Sequence, residues 1–167
     1  MKQAMIDYVK NGPYDEFMTP AYAVYPIMQF IPRHYTVWCP FDKEDSNYVK
    51  LFTENGYSVI YSHKDENKDF FHYQPEHFDV IVSNPPFSIK NQILKRCYEL
   101  GKPFALLLPI TTIEGVERHK LFRKHGIQLL VFDRRIGYTH KGSHWVNTSY
   151  FCWKLLPQDL MFWELKL

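Results

Sequence analysis

Asp79-Val80-Ile81-Val82-Ser83-Asn84-Pro85-Pro86-Phe87 is an almost uninterrupted apolar run that passes straight into two prolines. A run without polar alternation reads as a strand buried on both faces, as in a parallel sheet. Two consecutive prolines have no backbone donors and restricted dihedrals, so they hold a rigid extended corner. There the carbonyls of Asn84 and Pro85 cannot be consumed by a helix. A corner beyond the carboxyl end of a parallel strand lies where open α/β sheets bind ligands.

Working outward, short apolar runs alternate with helical periods, the pattern of a mostly parallel α/β sheet. Thr19-Pro20 reads as an N-cap followed by proline at the first helical position. Ala21, Val24, Ile27, Met28 and Ile31 then form one apolar face before Pro32, with Pro26 predicting a kink. Thr36-Val37-Trp38-Cys39 is a first strand. Ser46 caps a short helix carrying Val49 and Phe52 that ends at Gly56, and residues 57–61 and 78–82 are further strands. Ser88 is expected to cap a helix with Ile89, Ile93, Leu94 and Cys97 on one side and Gly101 as its stop. Strands are expected at 104–108, 127–132 and 150–156, and a polar helix at 115–124 whose Arg118, Lys120, Arg123 and Lys124 read as a solvated face. Residues 160–167 alternate loosely, as an edge strand or an oligomer contact would.

The sequence has 167 residues, 46% hydrophobic and 17% aromatic, with a formal charge of +2. This suits a single domain spanning residues 1–167, with a core large enough to need no disulfide or structural metal. Disordered, collagenous and disulfide-rich classes are excluded. Near-zero net charge argues against a purely electrostatic nucleic-acid binder and leaves a local basic patch open. No stretch approaches the roughly 18 apolar residues that span a bilayer, and the first residues lack a signal peptide's apolar run, so the expectation is cytoplasmic. Cys39, Cys97 and Cys152 each sit in an apolar run and read as reduced core thiols. Of the 8 histidines, the His72/His77 and His140/His144 pairs lack an accompanying carboxylate or cysteine pattern, so no metal site is expected.

Ser83-Asn84-Pro85-Pro86-Phe87 resembles the catalytic motif of S-adenosylmethionine-dependent amino-methyltransferases: Asp, Asn or Ser, then Pro-Pro, then an aromatic. Asn-Pro-Pro-Phe is a frequent spelling in the adenine enzymes. The resemblance implies a Rossmann-like class I methyltransferase fold, mostly parallel, with an antiparallel strand after the long loop at 133–147. It implies S-adenosylmethionine as cofactor and adenine in DNA as substrate. The exocyclic amine of adenine is a poor nucleophile because its lone pair is delocalised into the ring. Two acceptors aimed at its hydrogens, the Asn84 side-chain oxygen and the Pro85 carbonyl, help it pyramidalise, while Phe87 would stack on the extruded base. Catalysis of this kind is orientation and electrostatic stabilisation and needs no shifted pKa. The plain alternative is a proline-rich turn ending a core strand.

Further segments are similar to this family. Asp15-Glu16-Phe17-Met18-Thr19-Pro20 resembles the segment whose Thr19 and Pro20 positions meet the methionine part of the cofactor. Cys39, Pro40, Phe41 and Asp42 stand in the place of the cofactor loop, Ser62-His63 where the ribose is contacted, and Asp69-Phe70-Phe71 where the adenine ring is framed. Ser83 belongs with this cofactor set. The phrase Trp-Cys-Pro-Phe-Asp followed by Asp45-Ser46-Asn47 looks closest to the EcoRI type and its small phage-encoded relatives, which implies a phage-encoded protein in a host cytoplasm.

Two departures stand out. Cys39 replaces the usual first acid of the cofactor loop, and Lys43, Glu44 and Asp45 stand where glycine would let the backbone approach the ligand. Either Asp42 and Asp45 hold the cofactor's ammonium group, or cofactor binding has been lost. There is also no separate target-recognition region. The loop carrying Arg134, Arg135, Tyr138, Lys141 and Trp145 is the best substitute, with cations for phosphates and aromatics for a base. A catalytically degenerate nucleic-acid-binding or regulatory subunit is the competing reading, and an RNA or protein-amide methyltransferase using the same corner a closer one. A homo-oligomer or a partner subunit could complete the site.

Overall fold

The computed structural model describes residues 18–138 and 146–166, and within them helices and strands alternate. Helix α1 (Ala21–Met28) precedes β1 (Thr36–Cys39), then α2 (Asn47–Glu54), β2 (Ser58–Tyr61), β3 (Val80–Ser83), α3 (Lys90–Leu100) and β4 (Phe104–Pro109). After α4 (Val116–His125) come β5 (Gln128–Phe132), β6 (Thr148–Trp153) and β7 (Leu160–Trp163). All seven strands join one sheet in the order β2-β1-β3-β4-β6-β5-β7. Only β6 runs antiparallel to its neighbours β4 and β5. The expected antiparallel strand after the long loop is therefore β6, but the last strand is the edge strand β7, parallel to β5.

Burial explains the reading of the strands. β3 and β4 lie in the middle of the sheet and are buried throughout, which is why they read as unbroken apolar runs. At the edge, β7 alternates: Leu160 and Phe162 are exposed while Met161 and Trp163 pack inward. One face of the sheet, with Val37, Val80, Ala105 and Tyr150, packs on α1 and α2. The other, with Trp38, Ile81, Phe104 and Phe151, packs on α3 and α4.

Local details shift some boundaries. Pro20 itself, extended at φ −68° and ψ 151°, stands at the N-cap of α1, so Thr19 is one residue too early to cap it. Ser46 caps α2 as expected, its hydroxyl oxygen accepting from the Tyr48 amide at 3.2 Å. Ser88 is not a cap: the prolines leave the chain extended, a 3-10 turn (Phe87–Ile89) redirects it, and Ile89 takes the N-cap of α3. Phe78 lies before β3, because Asp79 bonds both ways to Thr36, its amide to the Thr36 carbonyl at 2.9 Å and its carboxylate to the Thr36 amide at 2.8 Å. Gly101, at φ +69°, ends α3 in the left-handed conformation.

A buried hydroxyl pair joins the layers. Tyr150 on β6 donates to the Ala23 carbonyl in α1 at 3.0 Å, so the 2.9 Å contact between the two phenols has Tyr48 on α2 as donor. Tyr150→Phe removes the acceptor for one buried group and the donor for another. The expected cost is about 1–3 kcal/mol, read as a lowered urea midpoint with an unchanged m-value.

Candidate active site

The chain enters the sheet at β1, moves to β2 on one side, and then crosses to β3 on the other. The strand order reverses at β1, so a crevice opens between the carboxyl ends of β1 and β3. The register Trp38↔Ile81 sets the ends of those strands level, with Asp42 just past one and Asn84 just past the other. A cavity of about 480 Å³ lies there, within the range of small-ligand sites.

Of the residues singled out in the sequence, Met18, Thr19, Pro40, Phe41, Asp42, Asp45, His63, Asp69, Phe70, Phe71, Asn84 and Pro86 line this cavity together. Pro20, Cys39, Ser83, Pro85 and Phe87 do not form its wall. Lys64 is a wall residue that sequence reasoning passed over, and Lys43 and Ile89, read there only as a loop and a helix residue, are wall residues too. Their signal was only adjacency to the motif residues.

Asp42 holds the wall together. Its two carboxylate oxygens accept from Ser46 Oγ and Ser83 Oγ, each at 2.5 Å. One side chain thus ties the loop after β1 to the first turn of α2 and to the last residue of β3. Burial pushes its pKa up to about 6, while the two serine hydroxyls and nearby His63 pull the other way. Among the described residues, no basic side chain hydrogen-bonds to it.

The loop makes its turn without glycine. The Ser46 amide closes a turn onto the Lys43 carbonyl at 3.0 Å. Among the described residues, the only non-glycines with positive φ are Asn67 and Lys154, so residues 43–45 need no left-handed backbone. Cys39 is fully buried beneath this loop, and burial together with the Asp42 charge pushes its thiol up, which makes it a packing residue.

On the β2 side, Trp38 Nε1 donates to Ser62 Oγ at 3.0 Å, and His63 Nδ1 accepts from the Asp65 amide at 3.2 Å. Lys43 reaches Asp65 at 2.7 Å, joining the loops after β1 and β2. The Asp69 carboxylate accepts from the Phe71 amide at 2.7 Å, which turns the backbone so that Phe70 and Phe71 meet the cavity. Phe70 is set against Trp38 at 5.4 Å and Phe41 at 5.0 Å between ring centres, with the Arg96 guanidinium 5.3 Å over its ring. Its role in the core accounts for most of its burial. The cavity therefore offers an aromatic side, a carboxylate, and Thr19 Oγ1, a buried hydroxyl with no hydrogen-bond partner among the described residues.

The proline corner brings Asn84 and Pro86 to the wall and tucks Pro85 beside them. Phe87 turns inward: it is 9% exposed and packs with Trp38, Ile93 and Leu94. Lys90 Nζ donates to the Phe87 carbonyl at 3.0 Å and holds the turn. The ring expected to stack on a base is thus part of the core in this arrangement.

The polar loop leaves β5 and returns into β6 at the same rim. Arg134 is engaged by Asp133 at 2.8 Å. Tyr138 packs on the core and its hydroxyl meets Thr148 Oγ1 at 2.6 Å, so it is turned away from any partner outside. Arg135 is exposed. Lys141 and Trp145 lie outside the described residues, as do Asp15, Glu16 and Phe17. Among the described residues no three His, Cys, Asp or Glu side chains gather as metal ligands, and no helix is long and apolar enough to cross a membrane.

No protein-family model matches the sequence, and no curated protein is significantly similar to it. Among solved structures, the chain superposes on a protein from Listeria monocytogenes, provisionally described as a class I S-adenosylmethionine-dependent methyltransferase. The TM-score is 0.53 with 10% identity, over 98% of this chain and 71% of that one. Likeness at this identity concerns the fold, and the fold is the class I methyltransferase type.

The Asp42 carboxyl has a measurable cost. Between pH 3.8 and about 6 the native state binds more protons than the unfolded one, so stability falls as pH rises through that window. At neutral pH the loss is roughly 3 kcal/mol. Asp42→Asn is expected to remove that decline, seen as urea midpoints that stay level from about pH 4 to about pH 7.

Proposed function

We propose that the protein transfers a methyl group from S-adenosylmethionine to the exocyclic N6 amine of adenine in DNA. The observation that carries this reading is the shared cavity: Asp42 and Thr19 on one side and Asn84 and Pro86 of the proline corner on the other border the same space. The residues fit the cofactor. A buried carboxylate with only hydroxyl partners suits its ammonium group, the unsatisfied Thr19 hydroxyl suits a polar atom of its amino-acid part, and Phe41, Phe70 and Phe71 suit a flat ring. When bound, S-adenosylmethionine supplies an electrophilic methyl group on a sulfonium sulfur.

The chain's own part is orientation. Asn84 Oδ1 and the Pro85 carbonyl accept from the two amine hydrogens, localising the lone pair that forms the new N–C bond. The methyl's bond to the sulfonium sulfur would break as the N–C bond forms, leaving a neutral thioether, and the surplus amine proton would pass to water, so no side chain with a shifted pKa is required for it. Duplex DNA must release the base first. With Phe87 packed inward, Ile89 on the cavity wall is the apolar group of the corner that meets this role.

Calorimetric titration with S-adenosylmethionine and S-adenosylhomocysteine comes first because it needs no knowledge of the DNA target. Binding is expected to weaken as pH falls through about 6, where Asp42 becomes neutral, and to be lost at all pH values in Asp42→Asn. Failure to bind either compound would favour a methyltransferase-fold nucleic-acid-binding subunit. In a transfer assay, Asn84→Ala is expected to lower methylation by roughly 10²–10³-fold, with cofactor affinity and thermal midpoint unchanged. Parallel assays on DNA and RNA distinguish the substrates.

A further inference from the structure

Helix α4 carries a cationic stripe that the fold does not use. Val116, His119, Lys120, Arg123 and Lys124 recur at helical spacing and border one surface groove. All five are exposed, Val116 at 74%. The core claims little of this helix: Phe122 is its one buried residue. Glu117 pairs with Lys120 at 2.8 Å, and it is the helix's only acid. Cations in the last turn complement the helix dipole, which accounts for Arg123 and Lys124 singly. It does not account for Lys120 one turn earlier on the same face, where like charges three and four residues apart repel.

The stripe is also rigidly mounted beside the crevice. The segment Ile110–Ile113 leaves β4, the strand next to β3, at the rim that carries the Asn84 corner. Arg118, the one cation of α4 that turns inward, donates to the Thr112 carbonyl and to Asn91 Oδ1, each at 2.7 Å, and to the Glu114 carbonyl. It thereby pins the start of α4 both to the rim segment and to α3. Gly115 sits at φ +114°, a conformation that side-chain-bearing residues rarely adopt, and a Cβ there would displace the Arg118 guanidinium, which lies 2.5 Å away. From this fixed start the stripe runs for about 12 Å, the length over which a DNA strand rises by about three nucleotides along the duplex axis.

We infer that this face of α4 binds the phosphodiester backbone of duplex DNA and so docks the substrate beside the crevice. The inference rests on the reading of the Asn84 corner as acting on a base in DNA. It supplies a fixed set of phosphate contacts, which position a duplex without reading its sequence. The exposed Val116 at the rim end of the stripe adds an apolar contact for the sugar edge.

The test is the salt dependence of binding of the full chain to a fluorescent DNA duplex, followed by anisotropy. Lys120→Gln, Arg123→Gln and Lys124→Gln together are expected to flatten the slope of log K against log salt by about 2–3, since each phosphate neutralised contributes about 0.9. The combination Lys50→Gln, Lys95→Gln and Lys102→Gln removes the same charge elsewhere and is expected to change the slope far less. Lys120→Arg, Arg123→Lys and Lys124→Arg should restore it. Equal losses in both Gln triples, an unchanged slope in the α4 triple, or tighter binding to an RNA duplex of the same sequence would each overturn the inference. Cofactor calorimetry on the unsubstituted chain reads the methyltransferase proposal separately: no cofactor binding, together with a slope that flattens in the α4 triple and not in the control triple, would sink that proposal alone.

Discussion

A carboxylate forced into a place where water is scarce governs the upper half of the molecule. Asp42 is buried at the meeting point of the loop after β1, the first turn of α2 and the last residue of β3, and it binds a serine hydroxyl from each of the latter two. Hydrogen bonds to a charged acceptor are among the stronger ones, yet here they do not cancel the cost of burial. The crevice is consequently a place of retained electrostatic tension. An incoming cation can relieve it, and that is how a binding site differs from a well-satisfied core.

The same contact explains how the loop dispenses with glycine. Glycine is needed where the backbone must enter the left-handed region or approach another group without a Cβ. Between β1 and α2 the chain turns through ordinary dihedrals, and Ser46 serves twice, as helix cap and as donor to Asp42. Lys43 then fastens the outer side of the loop to Asp65. Side-chain bonds shape a wall that glycine-rich loops shape with bare backbone.

Much of this was legible in the sequence because the central strands are buried on both faces and leave unmistakable apolar runs. The Asn-Pro-Pro corner was legible for the same reason, since proline dictates its own geometry. What escaped were choices made by tertiary contacts. Ser88 looks like a cap, but the 3-10 turn imposed after Pro86 passes that position to Ile89. Phe87 and Tyr138 looked available to a ligand, yet aromatic rings beside a core are claimed by it, and both turn inward. The exposed cations of α4 are no different in sequence from a solvated face. Only the inward commitment of Arg118 and the groove around Val116 set them apart.

The strand order has a consequence for how the chain comes to be made. β5 has only two partners, β6 and β7, and both are later in sequence. β4 likewise acquires its second neighbour only when β6 arrives. A nascent chain emerging from the ribosome can assemble β1 to β4 in order, but it must then hold the apolar edge of Phe104–Pro109 and the whole of β5 without partners until Trp153 has cleared the exit tunnel. Insertion of β6 closes both gaps in one event, so sheet completion is a late step, and that unpaired edge is the interval in which a chaperone has most to do.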